Sequence, residues 1–254
     1  MLQKIKAIKK NLRKVKIIDN KYFSDKSLPG YYSVSIVIAT LDRPDDLKEC
    51  LSSLFNQTFC RKVEIIIVDN NPLSGLTSSV VNEFPEIKLV QETRKGLSYA
   101  RNKGIIEAKN EIIISIDDDV IISAGWLESL IAPFIDEDVA AVTGNVYPFE
   151  LVTKPQKFFE EYGGLGRGEQ NFIVNKEWFD NFIFRAVPTW EIGATANAAF
   201  RSSIFKNSKI GLLEEVLGPG MPSGVGEDTY LFYKILKEGK SIVYLSDAYV
   251  MHKH

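Results

Sequence analysis

Cysteine is scarce in this chain of 254 residues, with only Cys50 and Cys60 present. Two cysteines do not make a disulfide framework, and the lack of a C-x-x-C pair argues against a structural zinc site. Both side chains are therefore expected to be ordinary reduced thiols, as in proteins of the reducing cytoplasm.

Long apolar runs and a basic excess are also missing. No stretch approaches the ~18 residues of a membrane-spanning helix, and the N-terminus lacks the apolar core of a secretory signal. The sequence therefore predicts a cytoplasmic protein. The formal net charge of -2 argues against nucleic acid as a partner, because a general binder needs cations to pair with phosphates. With 45% hydrophobic residues, the chain has enough apolar material for a sizeable core.

Positive charge is concentrated at the N-terminus, where residues 1–18 hold seven bases and no acid. Apolar side chains recur between these bases at helical spacings: Leu2, Ile5, Ile8, Leu12 and Val15. The pattern predicts an amphipathic basic helix. Such a helix either lies on an anionic membrane surface, here the inner face of the cell membrane, or packs on its own domain with its basic face in water. Residues 21–30 are polar and end in Pro-Gly, so residues 1–30 are predicted to be a basic segment followed by a linker.

Short apolar segments alternate with helical patterns from residue 33 onward. The predicted strands are residues 33–39, 64–68, 87–91 and 111–116, and the predicted helices between them are residues 45–57, 74–84 and 96–108. Such alternation indicates parallel β-α-β units. The sequence therefore predicts an α/β fold with a central, mainly parallel sheet and helices on both faces.

The pattern is less regular after residue 125. Helices are predicted over residues 126–134 and 227–238, and strands over residues 139–142 and 241–245. A glycine-rich stretch (residues 160–170), an aromatic-rich stretch (residues 172–190) and a Gly/Pro loop (residues 218–226) fill the rest. Such stretches suit a substrate-facing surface better than a regular core.

Carboxylates follow three of the predicted strands: Asp42 the first, Asp69 the second, and Asp117-Asp118-Asp119 the fourth. In an open parallel sheet, ligands bind outside the carboxyl ends of the strands. Three adjacent carboxylates repel one another, so without a cation at least one is pushed toward its protonated form. Mg²⁺ or Mn²⁺ would relieve that repulsion while binding substrate phosphate. Alternation along extended backbone sends the first and third carboxylates to the same side, so this D-x-D motif can present both to one ligand.

Several segments, in order, resemble the motifs of the family 2 glycosyltransferases. They are residues 34–47 (VSIVIATLDRPDDL), 65–70 (IIIVDN), 96–104 (GLSYARNKG), 112–120 (IIISIDDDV), 193–201 (GATANAAFR), 226–231 (GEDTYL) and 250–254 (VMHKH). The resemblance covers residues 33–254. It implies a GT-A fold over residues 31–254, with a nucleotide-binding half (about 31–125) and an acceptor half (about 126–254). It also implies a nucleotide diphosphate sugar donor, a divalent metal and inversion at the anomeric carbon.

The resemblance also implies roles for single residues. Asp119 should ligate Mn²⁺ or Mg²⁺ directly, with Asp117 beside the ribose or in the metal shell and His252 completing that shell. Asp69 should receive the N–H edge of a uracil-type base, which favours a UDP-sugar. Asp228 is the expected catalytic base.

Other residues complete the implied site. Glu227 is the alternative base, and Arg101 either faces the diphosphate or makes a structural ion pair. Leu41 stands where many relatives have an aromatic residue, and Asp42 where Asn is more usual, so the nucleobase is less well defined than the metal site. The remaining nucleotide-sugar contacts are expected from Thr40, Asp42, Arg43, Gly96 and Asp118. The acceptor pocket is expected to include Trp190, Glu191 and Asn197, with a core role as the alternative for Trp190.

Three functions are compatible with these features. The first is an inverting transferase that moves a hexose to a hydroxyl of a glycan, a lipid-linked acceptor or a cell-envelope polysaccharide. The second is a nucleotidyltransferase, which would need a glycine- and base-rich phosphate loop after the first strand. Residues 40–44 (TLDRP) are not such a loop. The third is a non-catalytic sugar-nucleotide-binding module, against which the intact D-x-D, G-E-D and histidine motifs argue.

Overall fold

A computed structural model describes residues 15–19, 32–57, 62–182 and 184–253 of the chain. Most of the predicted basic helix, the predicted linker, Cys60 and His254 lie outside the described residues. Within the described ranges, no helix is both long enough and apolar enough to cross a bilayer.

The described strands and α-helices are numbered in chain order. The strands are β1 (Lys16–Ile17), β2 (Val34–Thr40), β3 (Val63–Asp69), β4 (Lys88–Gln91), β5 (Ile112–Asp117), β6 (Val120–Ile122), β7 (Val139–Pro148), β8 (Phe172–Val174), β9 (Asn197–Arg201) and β10 (Ser241–His252). The helices are α1 (Pro44–Phe55), α2 (Leu76–Val81), α3 (Leu97–Glu107), α4 (Trp126–Ile131), α5 (Lys154–Glu161), α6 (Lys176–Asp180), α7 (Ser203–Lys206) and α8 (Glu227–Lys237).

One sheet joins these strands in the order β1-β8-β10-β7-β9-β5-β2-β3-β4, with β6 added on β10. Strands β4, β3, β2 and β5 are parallel, as are β7 and β10. Because β9 lies between β5 and β7 and is antiparallel to both, the two parallel groups run in the same direction. The predicted α/β class with a mostly parallel central sheet is confirmed.

Helices cover both faces of the sheet, as predicted. On one face, α1 and α4 pack against alternate residues of the strands, such as Ile36 and Ile114. On the other face, α3 and α8 cover the residues between them, such as Val37 and Ile113. The central strands are buried on both faces, which is why they appear in the sequence as continuous apolar runs.

Several predicted boundaries were wrong. The helix predicted over residues 74–84 is a short 3-10 turn (Pro72–Ser74) followed by α2, and Gly75 at φ 70° separates them. The helix predicted over residues 126–134 gives way to a 3-10 turn at Ala132, because Pro133 has no N–H to continue it. Strand β7 runs well beyond residue 142, to Pro148.

At the end of the predicted basic segment, Lys16 and Ile17 pair with β8, and Ile18 is buried in the core. The helix predicted from Leu2 to Val15 lies almost wholly outside the described residues and stays a prediction.

Candidate metal and nucleotide site

The sheet brings the predicted polar groups to one edge. Thr40 pairs in register with Asp69, and Ala39 with Asp117, so β2, β3 and β5 end side by side. The apolar parts of these strands are buried between the two helix layers. The last residue of each strand, Thr40, Asp69 or Asp117, therefore lies where the sheet meets the loops.

Asp117 contacts two basic side chains. Its Oδ1 accepts a hydrogen bond from Arg101 Nη2 at 2.5 Å, and its Oδ2 lies 3.3 Å from His252 Nε2. Burial alone would raise the pKa of Asp117, but Arg101 and His252 lower it to about 2. Asp117 is therefore a stable anion at neutral pH.

Asp118 turns toward the end of β2. It accepts a hydrogen bond from Thr40 Oγ1 at 2.6 Å and a longer one, 3.3 Å, from Arg43 Nη1. Burial, and then the charges of Asp119 and Asp117, raise the pKa of Asp118 to about 6 against these two partners. The pKa of Asp118 is thus shifted in the direction expected for one member of the trio, with burial as the largest cause.

Asp119 lies between Arg43 and His252. Its Oδ2 accepts a hydrogen bond from Arg43 Nη1 at 2.6 Å, and its Oδ1 lies 3.2 Å from His252 Nε2. Among the described residues, no hydrogen bond reaches this buried Oδ1. Asp117, Asp119 and His252 each offer a ligand atom, and these atoms lie within 4.8 Å of one another. Two carboxylates and an imidazole suit Mn²⁺, so the residues present fit the predicted cation.

His252 reaches this cluster because β10 is longer than predicted. The strand continues past residue 245, with a register shift between Leu245 and Val250, and ends at His252. The backbone oxygen of His252 accepts a hydrogen bond from Phe149 N at 2.8 Å, and Lys253 N donates to Asp119 O at 3.0 Å. Burial opposes protonation of His252, but the hydrogen bond to Asp117 and the charge of Asp119 raise its pKa above the usual value.

The cluster lines a cavity of about 520 Å³. Of the predicted residues, the cavity wall contains Thr40, Arg43, Gly96, Asp117, Asp118, Asp119 and His252. Leu41 lies in the wall, where the resemblance places an aromatic residue in many relatives. The volume and the few polar groups are typical of a small-molecule site.

The rim of the cavity is formed where two glycine loops meet. Gly96 has φ 143°, and its N–H donates to Asn70 Oδ1. A Cβ on Gly220 would lie 3.0 Å from Gly96 Cα, so the close approach requires glycine. Sequence reasoning missed Asn70 and Lys95 as wall residues. The signal for both was adjacency, since they stand next to Asp69 and Gly96.

Two predicted nucleotide contacts lie outside the cavity wall. Asp69 is 1% exposed, and its Oδ1 accepts a hydrogen bond from Asn71 N at 3.0 Å. Asp42 is exposed, has the left-handed φ of 55° and accepts from Asn71 Nδ2. Asn70 is in the cavity wall but neither aspartate is, so contact of either one with a nucleobase remains a prediction.

Arg101 takes the structural alternative rather than facing the cavity. It is 3% exposed and bridges two carboxylates, Asp117 at 2.5 Å and Glu227 Oε1 at 3.4 Å. Burial, and then the charge of Asp228, raise the pKa of Glu227, and Arg101 opposes that shift. Arg101 thus connects the acidic trio to the start of α8.

Asp228 lies at the first turn of α8 and is more accessible than Glu227. Its Oδ1 accepts hydrogen bonds from Thr229 N and Thr229 Oγ1. Its Oδ2 accepts none from the described residues. Arg167 is the nearby cation. Burial lowers the pKa of Arg167, and the negative charge of Asp228 is the largest of the effects that raise it.

The predicted acceptor residues differ in their placement. Trp190 is 48% exposed, and its backbone oxygen accepts a hydrogen bond from Arg167 Nε at 3.0 Å. Glu191 is buried, and its negative charge raises the pKa of Arg167. Both therefore lie around the cation that faces Asp228.

Asn197 does not face an acceptor pocket, which corrects the prediction. It is fully buried, donates to Asn145 O and Ala248 O, and accepts from Trp126 Nε1 at 2.8 Å. A motif asparagine can hold strands together as well as bind substrate, and spacing alone does not separate the two uses.

The mostly parallel sheet, with a metal-suited cluster at its carboxyl edge, is the arrangement expected of a GT-A fold. The model for glycosyl transferase family 2 matches residues 35–208, more than half of the chain. The chain therefore belongs to glycosyl transferase family 2.

Solved structures agree with the fold. A mannosyltransferase from Pyrobaculum calidifontis, in complex with GDP-Man and Mn²⁺, matches over 99% of this chain and 64% of its own, with 19% identity and a TM-score of 0.62. TarS 1-349 of S. aureus in complex with UDP matches over 87% of this chain and 60% of its own, with 21% identity and a TM-score of 0.63. The same protein in complex with UDP-GlcNAc gives 21% identity and a TM-score of 0.63 over 58% of its length. The chain thus spans less than two thirds of these structures. Among curated protein sequences, no match was found.

Proposed function

We propose that this chain is a metal-dependent, inverting glycosyltransferase. It would move a hexose from a nucleotide diphosphate sugar to a hydroxyl of a glycan, a lipid-linked acceptor or a cell-envelope polysaccharide. The observation that carries the proposal is the convergence of Asp117, Asp119 and His252 in the wall of the 520 Å³ cavity. Ligands of open parallel sheets bind at this edge.

Asp119 and His252 would hold the cation, with Asp117 as the third ligand. When bound there, a divalent cation stabilises the charge that develops on a leaving diphosphate. Arg43 pairs with Asp118 and Asp119, so its guanidinium would be able to turn toward the phosphates if Asp119 served as a metal ligand. Lys95, also in the wall, adds a second positive charge.

A UDP-sugar is the expected donor. The expectation rests on Asp69 as the acceptor for a uracil N–H, and the structurally similar TarS binds UDP and UDP-GlcNAc. The Pyrobaculum complex holds GDP-Man instead, so the donor panel below includes both bases. Asp69 is buried, so contact with the base would need a local movement that exposes its carboxylate.

Asp228 is the better candidate for the catalytic base. Its Oδ2 is free of protein hydrogen bonds within the described residues and can take the proton of an acceptor hydroxyl. Glu227 is buried and paired with Arg101, which commits its carboxylate to the link with Asp117. General-base help of this kind contributes ~10²–10⁴-fold.

The decisive experiment is donor hydrolysis by the purified full chain. UDP-GlcNAc, UDP-glucose, GDP-mannose and dTDP-glucose would each be supplied with Mn²⁺, Mg²⁺ or EDTA. We expect one donor to be hydrolysed only with metal, and Asp119→Ala to lose roughly 10³-fold. The matched control is Asp180→Ala, which removes an exposed carboxylate on α6 that pairs with Lys176.

Other outcomes would identify other functions. A nucleotidyltransferase would release pyrophosphate from a nucleoside triphosphate and a sugar phosphate. A binding module would be stabilised by a donor in thermal shift without turnover. Hydrolysis that persists in EDTA would contradict the metal-dependent mechanism.

Membrane attachment through residues 1–18 remains a prediction, most of it outside the described residues. Co-sedimentation with anionic liposomes should decrease when residues 1–14 are deleted. Equal co-sedimentation of the two chains would contradict it.

A further inference from the structure

A second groove lies on the acceptor half, outside the nucleotide cavity. It has a volume of about 380 Å³, and its walls are Tyr147, Glu169, Ser246, Asp247 and Tyr249. We call it the tyrosine groove. The two rings meet edge to face, with centroids 5.4 Å apart and planes at 78°, and each ring is about one third exposed.

Hydrogen bonds hold the groove in shape. Ser246 N and Ser246 Oγ both donate to Asn171 Oδ1, at 2.8 and 2.9 Å. Tyr244 OH donates to Gly168 O at 2.6 Å, next to Glu169. Ser123 N and Oγ donate to the backbone oxygen of Tyr249. The wall residues are thus positioned before any ligand arrives.

The composition of the groove matches the chemistry of a sugar ring. A pyranose has an apolar C–H face and a rim of hydroxyls. Tyr147 and Tyr249 offer apolar ring faces with polar tips. Glu169 and Asp247 are exposed carboxylates that can accept hydrogen bonds from hydroxyls, and charge-assisted bonds of this kind are the stronger ones.

The position of the groove connects it to the proposed reaction. Tyr147 pairs with Met251, one residue before His252, on the β7–β10 ladder. Val146 and Val250 lie on the sheet face covered by α1 and α4. Because side chains alternate along a strand, Tyr147 and Tyr249 lie on the other face, which α8 covers.

One loop separates the groove from the candidate base. Over residues 163–170, this loop carries Arg167, whose charge interacts with Asp228, and then Glu169 in the groove wall. Arg167, which interacts with the candidate base, is therefore only two positions along the chain from Glu169 in the groove wall.

We propose that the tyrosine groove is an acceptor subsite that binds an uncharged sugar unit of an oligosaccharide, one or more residues away from the hydroxyl that receives the donor sugar. The inference rests on the proposed function, since it assigns the acceptor of that reaction. Two carboxylates in the wall repel phosphate and uronate groups. The unit bound here is therefore neutral rather than anionic.

The test uses the full chain on a glycan array that carries neutral oligosaccharides, uronate-containing glycans and phosphorylated glycans. Native protein should bind neutral oligosaccharides in preference to anionic ones. Tyr249→Ala and Tyr147→Ala should each bind about tenfold more weakly. Tyr249→Phe keeps the ring and should retain most of the binding.

Phe55→Ala is the matched control, because Phe55 has the same 37% exposure as Tyr147 and lies at the end of α1, on the other face of the sheet. It should bind glycans like the native protein. Phe55→Ala should also hydrolyse the donor at the native rate, since Phe55 is outside both the nucleotide cavity and the tyrosine groove.

Two results would overturn the subsite. One is a native protein that binds no neutral glycan or prefers anionic ones, and the other is equal binding by Tyr249→Ala and Phe55→Ala. Failure of the proposed function has a different signature, which is the absence of donor hydrolysis in native protein whatever the array shows.

Discussion

The two halves of the sheet edge build their sites by different means. On the nucleotide side, Thr40, Asp69 and Asp117 are placed by the register of adjacent parallel strands. On the acceptor side, Asp228 lies in the first turn of α8, and Arg167 comes from the loop over residues 163–170. Strand register can be inferred from a local pattern, whereas the meeting of distant loops cannot. The following predictions test this contrast, beginning with the largest effect.

Asp228→Asn should reduce kcat for sugar transfer about 10³-fold while leaving the KM for the donor nearly unchanged. The amide keeps the shape of the side chain but cannot take a proton. Steady-state kinetics on the donor found in the panel would measure both constants. Glu227→Gln is the comparison, and a larger loss of kcat there would reverse the assignment of the base.

Arg101→Met should cost about 3 kcal/mol of stability, near the low end for breaking a buried ion pair. The variant leaves Asp117 and Glu227 without their shared cation. The cost stays low because Glu227 can take up a proton instead. Urea unfolding would measure it, and Arg101→Met combined with Glu227→Gln should recover part of the loss.

The same variant should show a defined pH dependence. Burial raises the pKa of Glu227, and removal of Arg101 raises it further. A carboxyl with a raised folded pKa stabilises the protein below its unfolded pKa and loses that contribution as pH rises through the folded value. The stability gap between native and Arg101→Met chains should therefore be widest near pH ~8 and shrink toward pH ~5. A gap independent of pH would contradict this account.

Most of the fold follows from sequence pattern, and the reasons are local. Strands β2, β3 and β5 are continuous apolar runs, and the polar residues after them mark the edge of the sheet. Seven predicted residues, from Thr40 to His252, do line the cavity. Their positions depend on strand ends and, for His252, on a motif at the end of the chain.

The features that sequence pattern did not predict depend on contacts between segments far apart in the chain. The continuation of β10 was hidden by the polar residues Ser246 and Asp247, which interrupt the apolar run at the register shift. Arg101 could not be assigned to Glu227 because 126 positions separate them. Asn197 carried the motif residue expected at an acceptor pocket, and only its burial shows that it joins strands instead.

Asn197→Leu should cost about 2 kcal/mol of stability, because Trp126 Nε1 and two backbone oxygens lose their partner. If Asn197 acts only within the core, the folded variant should keep its acceptor binding. Thermal unfolding and the glycan array would measure the two effects. If Asn197→Leu had native stability but bound glycans more weakly, Asn197 would be assigned to the acceptor pocket after all.

Lys253→Met should have the smallest effect, and it tests how the last strand is held at the metal cluster. Lys253 Nζ pairs with Asp46 at 3.1 Å and also with Glu49, both on α1, while Lys253 N donates to Asp119 O. The ion pairs are partly exposed, so their loss should cost under about 1 kcal/mol of stability.

Because these ion pairs fix the residue after His252, we expect the Mn²⁺ concentration for half-maximal activity of Lys253→Met to rise by about threefold with little change in kcat. High salt should also raise the Mn²⁺ concentration for half-maximal activity in the native chain, since screening weakens exposed ion pairs. If salt shifts native and variant chains equally, the pairs do not position His252, and β10 is held there by its backbone ladder alone.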